Sequence, residues 1–67
     1  MSKLPYFSII IPTLNEEKYL PRLLFNLVRQ KEKDFEVIVT DGQSLDHTKD
    51  KTLEYTNYFP LRFYTCN

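Results

Sequence analysis

Glycine is nearly absent from this chain: among 67 residues there is one, Gly42. A dinucleotide fingerprint and a Walker loop each need several glycines, so neither can be built here. If the chain binds a nucleotide, no Gly-rich loop cradles its phosphates, and the diphosphate charge must be met another way, most simply by a bound cation. Cysteine is also scarce. Cys66 is alone, so no internal disulfide can form, and no Cys or His stands near it at metal-ligand spacing. It reads as a free thiol in a reducing compartment. Long hydrophobic runs are missing. Ile9-Ile10-Ile11 falls far short of the ~20 residues a membrane helix requires. The opening Met1-Ser2-Lys3-Leu4-Pro5 lacks the apolar stretch of a signal peptide. The expected location is cytoplasmic, with the cytoplasmic face of a membrane as the option for a full-length form. An excess of one charge is absent too. Nine basic residues balance nine acidic ones, which gives no sign of a nucleic-acid-binding face or an acidic tail.

What is present is an ordinary folded composition, 42% hydrophobic and 27% charged. One core fits in this length and two domains do not. A domain this small buries only about 60% of the surface of its unfolded chain, so its stability is expected to be marginal.

Two kinds of pattern alternate along the chain. Phe7-Ser8-Ile9-Ile10-Ile11 is short, β-branched and apolar up to Pro12, as expected of a strand buried on both faces. Phe35-Glu36-Val37-Ile38-Val39-Thr40 is a second such run, ending at Asp41-Gly42. Leu61-Arg62-Phe63-Tyr64-Thr65 is a third, with more alternation. Between the first two, Leu20, Leu23, Leu24, Leu27 and Val28 fall at i, i+3, i+4, i+7 and i+8, one face of a helix. Thr13-Leu14-Asn15-Glu16 has capping-box spacing. Pro21 must lie near the helix start, because further in its missing N–H would break the ladder. Lys31-Glu32-Lys33-Asp34 reads as a solvated connector. A second helix, capped by Ser44 or Asp46 and stopped before Pro60, has only Leu45, Leu53, Tyr55 and Phe59 as apolar positions. The predicted elements are strand 7–12, helix 17–30, strand 35–40, helix 45–58 and strand 61–65. This order predicts right-handed crossovers and an α/β fold with a three-stranded parallel sheet in order 3-2-1, one half of a nucleotide-binding fold.

Ligands of parallel sheets bind beyond the carboxyl ends of the strands. The loops there are Pro12-Thr13-Leu14-Asn15-Glu16-Glu17 and Asp41-Gly42-Gln43-Ser44-Leu45-Asp46. Adjacent parallel strands would gather Thr13, Asn15, Glu16 and Asp41 around one crevice. Asp41 could accept hydrogen bonds from ribose hydroxyls or a base N–H. Asp41-Gly42 reads equally well as a turn, Thr13, Asn15, Ser44 and Asp46 as helix caps, Glu16 and Glu17 as helix-dipole partners, and His47 as a solvated side chain.

Both segments carry a family likeness. Phe7 to Glu17 followed by the leucine-rich helix resembles the opening of family 2 glycosyltransferases. Phe35 to Thr48 resembles that family's second strand and its Asp-x-x-Ser-x-Asp-x-Thr loop. The likeness runs from about Phe7 to Tyr64. It implies a GT-A (Rossmann-like) fold and transfer of a sugar, with inversion, from a nucleotide-diphosphate donor (UDP-sugar or similar) to an unidentified acceptor. It implies that Pro12, Thr13, Asn15, Glu16 and Asp41 form the nucleotide-sugar site, with Asp41 at the uridine-like part. Gly42 stands where many members carry a second aspartate. The likeness also implies a divalent cation (Mg or Mn), whose Asp-x-Asp ligands, like the general base, would lie beyond this chain. Asp46-His47-Thr48-Lys49-Asp50 is not that motif, since it opens a helix. On this reading the chain is an N-terminal part that binds nucleotide and is inactive alone. The alternatives are a receiver-like α/β module, disfavoured because the first strand ends in Pro12-Thr13 rather than acids, and a structural module without a ligand.

Overall fold

The computed structural model describes residues 7–32 and 34–66. The segment Met1–Pro5 and Lys33 of the connector lie outside the described residues. Five elements follow one another: β1 (Phe7–Thr13), α1 (Leu20–Val28), β2 (Phe35–Asp41), α2 (Thr48–Leu53) and β3 (Leu61–Thr65). The three strands form one sheet with β2 in the centre. Both pairings are parallel: Ile9 lies opposite Val37, Thr13 opposite Asp41, and Asp41 opposite Thr65. The strand order and direction predicted from the sequence are those observed.

Side chains alternate across a strand, so residues 7 to 13 and 35 to 41 sort by parity onto two faces. The odd face is covered. Phe35, Val37, Val39 and Asp41 are buried in β2, and Leu20 and Leu24 of α1 pack onto that face together with Phe59. The Phe35 and Phe59 rings tilt against each other at 5.6 Å between centroids. The even face is open. Ile10 is 63% exposed and Tyr64 49%, and Ile38 beside them is half-buried. The expectation that β1 is buried on both faces is therefore corrected: its isoleucine run has the composition for two-sided burial, but among the described residues both helices lie on one side.

The helices are shorter than the sequence pattern predicts. A turn at residues 16–19 leads into α1 through Tyr19 N–H and Leu20 N–H, which both donate to Glu16 O. Pro21 sits in the first turn, where its missing N–H costs nothing. No side chain caps α1. Thr13 belongs to β1 instead, so the capping-box expectation is corrected. In α2 the buried face consists of Thr48 and Thr52. Leu45 is 95% exposed and Leu53 41%, so these two apolar positions do not form the buried face. Thr52 Oγ1 donates back to Thr48 O at 2.7 Å, a contact that competes with helix geometry and suits a helix of so few turns. Among the described residues no helix is long and apolar enough to cross a membrane.

Candidate functional site

The carboxyl ends of β1 and β2 meet in a row. Gly42 N–H donates to Thr13 O at 2.9 Å, and Cys66 N–H donates to Asp41 O. The backbone ladder thus fixes Thr13 and Asp41 side by side on the covered face. Their side chains join there: Thr13 Oγ1 donates to Asp41 Oδ1 at 2.6 Å. The predicted convergence of the two loops on one sheet end is present.

The Asp41 carboxylate is 3% exposed. Burial would raise its pKa, but hydrogen bonds outweigh burial and hold it below the ordinary carboxylate value. The Ser44 hydroxyl and the Thr13 hydroxyl both donate to Oδ1, the Ser44 N–H donates to Oδ2 at 2.7 Å, and the Gln43 N–H adds a further bond. A carboxylate offers about four acceptor positions, and these donors occupy them. The left-handed backbone of this loop falls at Gln43, with φ 63°, and not at Gly42. Gly42 is therefore not present to supply a left-handed turn, which corrects that reading of Asp41-Gly42.

The second aspartate of the loop works the same way. Asp46 is partly buried. Desolvation alone would raise its pKa, and hydrogen bonds from the Thr48 hydroxyl, the Thr48 N–H and the Glu17 N–H bring it below the ordinary value. Ser44 does not cap α2. It turns to Asp41 and accepts the Asn15 N–H at 2.8 Å. Asp46 does satisfy the first turn, accepting from Thr48 N–H at 3.0 Å.

The first loop is held by the second. Besides Asn15, the Glu16 N–H donates to Thr48 Oγ1 at 2.9 Å, and the Glu17 N–H donates to Asp46 Oδ2 at 3.2 Å. Asn15 closes the connection by accepting the Leu45 N–H on Oδ1 at 2.8 Å. Asn15 itself has φ 54°, a conformation asparagine tolerates better than most residues. The reading of Asn15 as a helix cap is thus replaced by a cross-loop bond. His47 is exposed, with Nδ1 3.5 Å from Asp50 Oδ2.

The five candidate residues divide between a concavity and the loop network. Pro12, Thr13 and Glu16 line a concavity of about 230 Å³ beside α1, closed by Ile11, Tyr19, Leu20 and Leu23. Asn15 and Asp41 belong to the loop network and do not line it. Ser44 and Thr48 were missed as partners of the first loop, because sequence spacing cannot reveal which backbone N–H a hydroxyl will meet 29 or 32 residues away.

The divalent cation that the family likeness implies has its expected ligands beyond this chain. Among the described residues no three His, Cys, Asp or Glu side chains gather as a metal site would, and the carboxylates of Asp41 and Asp46 are engaged by the donors above.

Comparison with known proteins agrees with this fold. The family model for glycosyl transferase family 2 matches residues 8–67. A PGL/p-HBAD biosynthesis glycosyltransferase of Mycobacterium tuberculosis is 52% identical over 46 residues, 69% of this chain and 18% of the relative. Validoxylamine A glucosyltransferase of Streptomyces hygroscopicus subsp. limoneus is 38% identical over 64 residues, 92% of this chain and 14% of that protein. The crystal structure of TarS residues 1–349 from S. aureus superposes with a TM-score of 0.85 at 40% identity, covering 91% of this chain and 19% of the other. The same protein has also been solved in complex with UDP. The chain thus spans less than a fifth of the length of each of these relatives.

Proposed function

The chain belongs to glycosyl transferase family 2, and we propose that it forms the nucleotide-sugar-binding end of a GT-A enzyme that transfers a sugar, with inversion, from a nucleotide-diphosphate donor to an acceptor. The observation that carries this reading is the 2.6 Å bond between Thr13 and Asp41. It joins both strand-end loops at the edge where parallel sheets bind ligands. The solved UDP complex of the similar TarS supports a uridine nucleotide as the donor class.

In this proposal Pro12, Thr13 and Glu16 present the surface that the nucleoside meets. Asn15 and Asp41 set its shape. A direct contact from Asp41 to the nucleoside requires one of its present donors to be displaced. The concavity of about 230 Å³ is below the ~300–1,000 Å³ of sites that enclose a whole small molecule. It suits one ring of a nucleotide rather than the complete donor.

Chemistry belongs elsewhere in the proposal. The residues that would hold a cation, and the base that would take the acceptor proton, are assigned to no side chain of this chain. A cation, when bound, would supply charge stabilisation for the leaving diphosphate. This chain's own residues bind and orient the nucleoside. The cytoplasmic location read from the sequence is part of the same proposal.

The experiment is a calorimetric titration of the chain with UDP, run beside Thr13→Val. Valine keeps the shape of threonine and removes the hydroxyl that reaches Asp41. Saturable binding that weakens about fivefold in the variant, the worth of one hydrogen bond, supports the reading. No heat of binding with the parent chain overturns it.

A further inference from the structure

Three consecutive backbone N–H groups, those of Asn15, Glu16 and Glu17, are each accepted by a side-chain oxygen of the other loop: Ser44 Oγ, Thr48 Oγ1 and Asp46 Oδ2. A run of free N–H groups entering a helical turn would be an anion site. Here the run is already filled, so it has another use. We propose that Ser44, Asp46 and Thr48 are positioning residues, which hold residues 15–17 in the shape that the nucleoside meets; this rests on the nucleotide reading above.

The two hydroxyls are themselves directed by acids. A hydroxyl has one proton to give and lone pairs with which to accept. Ser44 gives its proton to Asp41 Oδ1, so its lone pair is left for the Asn15 N–H. Thr48 gives its proton to Asp46 Oδ1, so its lone pair is left for the Glu16 N–H. Each aspartate is thus paired with a hydroxyl, and each hydroxyl with one N–H of the first loop. Asp46 also takes the Glu17 N–H directly. A hydroxyl lost from either pair would release one N–H of the first loop, that of Asn15 or of Glu16. This pairing gives a physical reason for two aspartates, a serine and a threonine at positions 41, 46, 44 and 48 that does not require any of the last three to touch ligand.

Strain makes the hold necessary. Asn15 and Gln43, one in each loop, are the two non-glycine residues with left-handed backbone among the described residues. Such conformations persist where surrounding bonds enforce them. Asn15 is enforced from both ends, through its own N–H to Ser44 and through its Oδ1 to the Leu45 N–H. Glu16, the next residue, lines the concavity, so a shift of the loop moves a wall of the proposed site.

The test uses the chain itself, with UDP as the probe, and Thr48→Val beside Thr48→Ser. Valine preserves the volume of this fully buried side chain and removes the oxygen; serine keeps the oxygen. Amide exchange at Glu16 should rise about tenfold in T48V, and UDP affinity should fall about fivefold, the share of one hydrogen bond. T48S should recover both to within about twofold. Protection of the Val39 amide in the core reports that the variant is folded. If T48V does not fold, Asp46→Asn, which keeps the side-chain shape, is measured at Glu17 with the same expectations. Unchanged affinity despite the lost Glu16 or Glu17 protection overturns the positioning role and leaves the nucleotide reading standing. Unchanged protection shows that the hydroxyl or carboxylate does not hold the loop and also overturns it. Absence of UDP binding by the parent chain overturns the nucleotide reading, and this role with it.

Discussion

Thr13 Oγ1 donates to Asp41 Oδ1 across 2.6 Å, joining residues 28 apart in the chain. Neither side chain reaches solvent appreciably, at 7% and 3% exposed. The bond seals the row in which β1 and β2 end, and the loops on either side take their positions from it.

The first prediction concerns pH. The Asp41 pKa is depressed, because bonds to Ser44, Thr13 and Gln43 overcome the effect of burial. A carboxylate depressed in the folded state contributes stability that is fully present above its unfolded pKa, ~3.9, and is lost as pH falls through the lower folded value. The carbon-detected titration of Asp41 should therefore have its midpoint below the ordinary carboxylate range. Stability should be flat in this respect from neutral pH down to that range and decline below it. Asp41→Asn should abolish the step. A midpoint at or above the ordinary value would contradict the hydrogen-bond assignment.

Gly42 should be replaceable. A methyl group there would meet Thr13 O at 3.6 Å and Leu14 Cδ1 at 3.8 Å, ordinary contact distances, and Gly42 does not use a left-handed backbone. Gly42→Ala should leave the denaturation midpoint unchanged or raise stability by about 0.4–1 kcal/mol through reduced freedom of the unfolded chain. A loss greater than about 1 kcal/mol would show that the space is not there.

The two faces of the sheet should respond differently to truncation. Leu24 is fully buried and Ile10 is 63% exposed. Leu24→Ala should cost about 2–5 kcal/mol, enough to unfold a marginal chain of this size. Ile10→Ala should cost about 0.5 kcal/mol or less, as at other surface positions. Urea denaturation of both variants checks the contrast, and equal costs would mean that the even face is covered after all.

Much of this was legible beforehand, and the rest was hidden for definable reasons. Strand order followed from apolar runs separated by crossover-length segments, and Pro21 marked the start of α1 because its ring is tolerated only there. The meeting of Thr13 with Asp41 followed from adjacent parallel strands. The uncovered side of Ile10 was not legible, since apolar residues announce that a face needs cover but not that cover is present. Thr48 and Thr52 were invisible as core because threonine patterns as polar, although its methyl packs and its hydroxyl can be satisfied locally, here by Asp46 and Thr48 O. Gln43 took the left-handed position beside an available Gly42 because its N–H and that of Ser44 both turn toward Asp41.

Self-association is the fourth expectation. Among the described residues β1 has a strand neighbour on one side only, and the open face beside it carries Ile10 and Tyr64. An unpaired strand edge next to exposed apolar side chains is a template for intermolecular pairing. Sedimentation velocity over a concentration series should show mass rising with concentration, and Ile10→Lys should suppress the rise. A monomer at every concentration would remove the edge-strand explanation.

The central claim is that the ends of β1 and β2 receive a nucleotide, and amide chemical-shift mapping of the chain during UDP titration tests it most directly. The account predicts saturable shifts concentrated at Thr13 to Glu17 and at Gly42 to Ser44, with the opposite strand ends at Phe7 and Phe35 unmoved. Shifts that fail to saturate, or that gather at Phe7, Phe35 or the outer surface of the helices instead, would contradict it.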